Sequence, residues 1–318
     1  MLATLKIYAK ILVKSFHDFL DDNALKFSAS LSYYTVFSIA PVLIIIIGVS
    51  GLFFGREAVT GELFHQFSRM IGDRAASLLQ DAISNVELEG QSGLATIIGV
   101  LTLLVGSTGV FTELQDSLNK IWSLKATPKR GWLHYLSNRL ISFSMVLTLG
   151  FLLMVSLLIN AIISLISDHF FAQYNLWAWV TQMINISIIV AIITILFAFI
   201  FKFLPDAKLR WRDVWAGALF TTTLFLGGKF AIGFYLSKSA IATTFGAAGS
   251  LALILAWVYY SSAILFFGAE FTKNYALQFG KRILPDDYAT FVVNSEKELP
   301  INCDARKMTV EKEKSAAS

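Results

Sequence analysis

The feature that most constrains this chain is a set of six long apolar stretches. They run roughly over Leu31–Phe54, Leu94–Phe111, Leu140–Ile166, Trp179–Leu204, Val214–Leu236 and Ala247–Phe271. A bilayer hydrocarbon core is about 30 Å thick and takes about 20 helical residues to cross, so each stretch is long enough to span. None alternates with period two, which excludes a transmembrane barrel. The first stretch starts too late, runs too long and lacks the small-residue cleavage pattern expected of a removable signal peptide. Composition agrees: 56% of residues are hydrophobic, 15% are charged and the mean hydropathy is +0.64, against about 25% charged in soluble domains. The reading is an all-α integral membrane protein, a bundle of six transmembrane helices.

Lysine and arginine placement orients the bundle. Of 26 such residues, 21 fall in the first segment, the second and fourth connections and the tail. Arg56, Arg69, Arg74 and Lys238 lie on the other side, and Lys229 lies inside a stretch. Both termini are therefore expected in the cytoplasm, in three parts: residues 1–30 as an amphipathic helix, 31–280 as the membrane domain with an external helical loop at 55–93, and 281–318 as a polar, disordered tail. In the first part Leu5, Tyr8, Leu12, Phe16 and Phe19 share a face, while Lys6, Lys10 and Lys14 recur every fourth residue. That pattern fits a helix in the headgroup plane or one packed on the bundle. The external loop repeats apolar positions at Leu63, Phe67, Met70 and Leu78 and reads as a helical cap or lid.

Six spans leave few residues able to do chemistry. A single cysteine, Cys303, excludes a disulfide framework, and four widely spaced histidines make no local ligand pair. No phosphate-binding glycine loop is present, so no cofactor or metal is expected and the chain does not read as an enzyme.

Residues inside the stretches are more informative. Pro41 breaks one helix hydrogen bond, and Ser30, Tyr34, Ser38 and Pro41 share a face, which either lines a cavity or is satisfied within a dry bundle. Gly106 and Gly109 flank Ser107-Thr108, a close-packing surface or an unwound substrate contact. Lys229 is an intramembrane charge about 22 Å from the cytoplasmic edge when counted from Val214. It either faces an anion in the interior or snorkels to the outer headgroups. Tyr260 needs a partner at mid-depth, whether a neighbouring helix or cavity water. Glu270, in the last turn of its span, wants a cation against the macrodipole, and Lys273 is the nearest. Ala248, Ala252, Ala256, Tyr259 and Ala263 form a narrow stripe expected to pack closely.

Several of these residues carry a family resemblance. Ala29-Ser30-Leu31-Ser32-Tyr33-Tyr34-Thr35 with Ser38 and Pro41, Leu118-Asn119-Lys120-Ile121-Trp122, Leu204-Pro205 through Trp211 with Gly217 and Ala218, and Phe245-Gly246-Ala247-Ala248-Gly249 through Gly268-Ala269-Glu270 together resemble the YihY / virulence factor BrkB family. Phe245 stands where a tyrosine is expected. The resemblance covers roughly residues 20–280 and implies a six-span protein of the bacterial inner membrane.

Members of that family have carried a ribonuclease label. Hydrolytic RNA cleavage needs a metal cluster or a paired acid and base, and strand binding needs an aromatic and basic platform. This sequence offers neither, so no nucleic-acid partner is expected. Two readings stand. One is a transporter or flippase-like protein for an amphipathic or anionic, lipid-like substrate, using Lys229, Tyr34, Ser38, Pro41 and Tyr260 with Glu270, Gly106 and Gly109 in structural or gating roles. The other is a scaffold for envelope components. Membrane lipids are the expected partners in both, and the sequence leaves self-association open.

Overall fold

The computed structural model describes residues 2–71, 73, 76–77, 79–81, 109–126, 177–238, 246–280, 283–286 and 289–292. The elements are α1 (Leu2–Asp21), α2 (Ala24–Phe54), α3 (Arg56–Ile71), α4 (109–121), β1 (Leu124–Ala126), α5 (Trp177–Phe203), β2 (Ala207–Lys208), α6 (Trp211–Lys238), α7 (Gly246–Phe279), β3 (Leu284–Pro285) and β4 (Ala289–Phe291). Stretch three, Leu140–Ile166, and Gly106 lie outside the described residues.

Three described helices carry segments long and apolar enough to cross a membrane: Ala24–Ile47, Ile186–Phe203 and Leu251–Phe279. The stretch expected at Val214–Leu236 is helical throughout, but three threonines, four glycines and Lys229 leave it less apolar than those three. Seven hydroxyls within the described helices are satisfied locally. Ser28, Ser32, Thr35, Thr194, Thr221, Thr222 and Thr272 each donate to the carbonyl four residues back at 2.7–2.8 Å. Their hydroxyls therefore need no water in an apolar setting.

α7 is the central element, packed against α1, α2 and α6, with α5 on the far side of α6. The α6–α7 contact is close because glycines face hydroxyl-bearing residues in alternation. A Cβ on Gly217 would overlap Thr272, one on Gly268 would overlap Thr221, and one on Gly228 would overlap the Tyr260 hydroxyl. This is how helices associate where no hydrophobic force separates protein from lipid. Of the alanine stripe expected to pack closely, Ala263 packs on the core, whereas Ala252, Ala256 and Tyr259 are exposed, and α7 turns its glycine and threonine face to α6.

α2 runs antiparallel to α7. Phe27 meets Phe266 edge-on at 6.4 Å between centroids, and Val36 and Ile39 join Ile254 and Trp257 in one apolar cluster. Pro41 lies within α2, which continues to Phe54. Gly55, at φ 84°, then reverses the chain into α3, a conformation glycine reaches without strain. α3 returns beside α2 with Val59 and Leu63 against Leu43 and Ile47. Phe67 and Leu79 close over Ile254 and Trp257.

α1 packs on the C-terminal end of α7. Phe16 and Phe19 meet Phe267 edge-on, Tyr8 touches Tyr275 and Phe279, and Asn274 donates to Ser15 and Asp18. The stretch expected as a disordered tail begins differently: β4 pairs antiparallel with β1 and β3 with β2. The Val292 N–H also donates to the Ser123 carbonyl, and that of Asp286 to Asp206. Backbone pairing, rather than apolar periodicity, orders this segment, so a hydropathy reading passes over it.

Candidate functional site

Two layers organise the polar residues. The inner layer, named for its place at the C-terminal end of α7, is ionic. Lys273 Nζ lies 3.1 Å from Glu270 Oε2 and 3.1 Å from Asp22 Oδ2, and donates to the Ile121 carbonyl at 2.7 Å. Glu270 is fully buried, and neither of its carboxylate oxygens has a hydrogen bond in the structure. The Lys273 ammonium is the cation beside it, the neighbour its position was expected to need. Trp122 donates to the Ala269 carbonyl at 3.2 Å, tying the end of α4 to the same turn of α7.

A second inner cluster was not anticipated. Asp206 accepts from Gln115 at 3.0 Å and Asn119 at 2.8 Å, and its N–H donates to the Asn119 side-chain oxygen at 2.9 Å. All three residues are buried. The Leu204–Pro205 turn after α5 is the local signal, since it places a carboxylate in a short loop facing α4. Nearby, Lys202 donates to the Leu209 carbonyl at 2.6 Å and stands over the Trp211 ring.

The outer layer contains most of the sequence candidates. A Cβ on Gly109 would lie 3.4 Å from Ser38 Oγ and 3.8 Å from the Tyr34 ring, so these three residues meet where α4 crosses α2. On the other side of α7, Tyr260 reaches Gly228, the residue before Lys229. Counted along α7, Tyr260 lies ten residues from Glu270, about 15 Å at 1.5 Å per residue. The α2–α7 register places Tyr34 at the same height, opposite Tyr259. Tyr34, Tyr260 and Lys229 therefore occupy one level, with Ser38 and Gly109 within about one helical turn of it. Lys229 is exposed on α6, and no hydrogen bond or ion pair joins it to another described residue. Pro41 sits one turn further out on α2.

Between the inner layer and the strands lies a cleft of about 620 Å³. It is lined by Asp21, Asp22 and Asn23 in the α1–α2 turn, Phe27 on α2, Asp116, Asn119 and Lys120 on α4, Ser123, Leu124 and Lys125, and Val292. Asn23 makes the turn in a left-handed conformation, φ 56°, which asparagine tolerates. Lys120 Nζ stands 5.2 Å from the Phe27 ring centre. Burial and the neighbouring Glu113 carboxylate push the Asp116 pKa up, with Lys120 opposing. No group of three or more potential metal ligands occurs among the described residues.

A bundle of long apolar helices, joined by glycine–threonine contacts and closed inside by a buried ionic layer, defines an integral membrane protein. The chain belongs to the Virulence factor BrkB family, whose model matches residues 15–287. Among curated proteins it is similar to UPF0761 membrane protein Smlt0865 of Stenotrophomonas maltophilia, at 24% identity over 82% of this chain and 59% of the relative. It is also similar to UPF0761 membrane protein xcc-b100_3490 of Xanthomonas campestris, at 24% identity over 80% of this chain and 58% of the relative. A UPF0761 membrane protein of Alkalilimnicola ehrlichii is 24% identical over 80% and 56%. The chain thus spans less than two thirds of the length of these relatives. No solved structure matches it.

Proposed function

We propose that this protein crosses the bacterial inner membrane six times, with both termini in the cytoplasm, and moves an amphipathic or anionic substrate along the level that holds Lys229, Tyr34 and Tyr260, with Ser38 beside it. One observation carries the reading. Lys229 stands about 15 Å up from the Glu270–Lys273 layer and about 22 Å from Val214, so on either count it lies within a hydrocarbon core about 30 Å thick. Glu270 is the only carboxylate in the six apolar stretches, and Lys273 already holds it. A charge at that depth is costly without a partner, and among the described residues none holds it. An anionic substrate is the remaining counter-charge. Pro41 and the Tyr34–Ser38–Gly109 crossing provide polar groups at or beside the same level, while Phe67 and Leu79 close the outer end.

The test uses the lone cysteine. In a Cys303→Ser background, Tyr34→Cys, Lys229→Cys and Ile189→Cys are labelled singly with a membrane-impermeant thiol reagent. Labelling at 34 and 229 but not at the outward-facing 189, slowed by an anionic amphiphile, is the expected result. Protection of all three in folded protein means a dry bundle and leaves the scaffold reading. Flux assays of Lys229→Met should show loss of movement with normal abundance.

A further inference from the structure

We infer that the inner cleft is a binding site for a headgroup carrying both an ammonium and a phosphate, as on a zwitterionic lipid. The inference concerns binding and stands whether or not the protein transports. At about 620 Å³ the cleft falls within the range of small-molecule sites. Its walls carry charge of both signs. Asp21, Asp22 and Asp116 face it from the α1–α2 turn and α4, and Lys120 and Lys125 from α4 and β1. Asp22 is already held by Lys273, which leaves Asp21 and Asp116 for a ligand cation. A simple cation would be repelled by the two lysines, and a simple anion by the carboxylates. A ligand with both charges a few atoms apart satisfies each wall at once, through charge-assisted hydrogen bonds.

The electrostatics of α4 point the same way. Asp116 is repelled by Glu113 and partly withdrawn from water, so a cation beside it relieves a standing penalty. Lys120 is i+4 to Asp116, but its ammonium is held over the Phe27 ring. The apolar side of the cleft, Phe27, Leu124 and Val292, is continuous with the core: the Phe27 ring packs on the fully buried Phe266. A lipid could therefore place its headgroup among the charges and its glycerol end against Phe27.

The experiment is native mass spectrometry of the full chain in detergent, titrated with phosphatidylethanolamine, phosphatidylglycerol or deacylated glycerophosphoethanolamine. Phosphatidylethanolamine should bind about tenfold tighter than phosphatidylglycerol, the effect of roughly one charge-assisted contact. Asp116→Asn and Lys120→Gln should each erase that preference, with Asp21→Asn, in the exposed turn, as the variant least able to disturb folding. Competition by glycerophosphoethanolamine would assign the site to the free headgroup, and its failure to compete would assign it to the intact lipid. Equal binding of the two lipids, or unchanged preference in all three variants, would overturn the inference.

Discussion

Gly217 and Thr272 face each other so closely that the glycine has no room for a methyl group, and four residues along, Thr221 and Gly268 repeat the arrangement with the roles exchanged. Each threonine hydroxyl is also bonded to a carbonyl within its own helix. α6 and α7 are therefore set to approach as one unit. Gly217→Ala should destabilise the protein by about 1–3 kcal/mol through overpacking. Adding Thr272→Ala should restore part of the loss, a coupling that a double-mutant cycle of unfolding in detergent would reveal. Strict additivity would mean that the two residues are not in contact.

The Glu270–Lys273 pair predicts an asymmetric response. Lys273→Met removes the cation beside a buried carboxyl group, which can then take up a proton, and should still destabilise the fold by about 1–3 kcal/mol. Glu270→Gln should cost less, because Lys273 retains Asp22 and the Ile121 carbonyl. Combining the two should recover most of the Lys273→Met loss. Thermal unfolding of the three variants in one detergent decides it.

Asp206 holds α4 through two side-chain amides, so Asp206→Ala should loosen the inner face. The loss of two hydrogen bonds to a buried charge should cost about 2–3 kcal/mol or more. Limited proteolysis should then cut near 119–126 faster than in the parent, whereas Asp206→Asn should be milder.

Asp116 gives a pH dependence of defined sign. Its folded-state pKa is raised, so its contribution to stability is fully present below the unfolded value and is lost as pH rises through the folded one. Asp116→Asn should therefore unfold at a higher temperature than the parent at neutral pH, with the difference vanishing in acid. The same variant should bind the zwitterionic lipid less well. A gain in stability accompanied by a loss of binding is the signature of a residue kept for a ligand. Equal unfolding temperatures across the pH range would count against it.

How much of this was legible beforehand differs by kind of feature. The helices containing Tyr34, Thr194, Lys229 and Tyr260 follow from apolar run length alone, because a backbone in lipid has few ways to satisfy itself. The Glu270–Lys273 pair follows from i,i+3 spacing and the helix dipole. The meeting of Ser38 with Gly109 does not: each residue was conspicuous in its own helix, but a crossing point depends on how two helices lie, which no single-helix pattern encodes. The Asp206 cluster and the β1–β4 pairing were hidden for a related reason. Their partners are far apart in sequence, and hydrogen-bonding complementarity leaves no periodic trace. The alanine stripe shows the converse risk, since small residues permit close approach without choosing which face takes it.

The β1–β4 ladder also bears on how the protein is made. β1 leaves the ribosome before the third of the expected spans, and β4 follows the last helix. The ladder therefore stays open until α7 has been made and closes only once β4 follows it. A ribosome stalled before residue 289 would hold a nascent chain whose helices can already be in the bilayer while β1 still lacks its partner. That unpaired edge would give quality-control proteases a means of telling a chain stalled before β4 from one that has passed it.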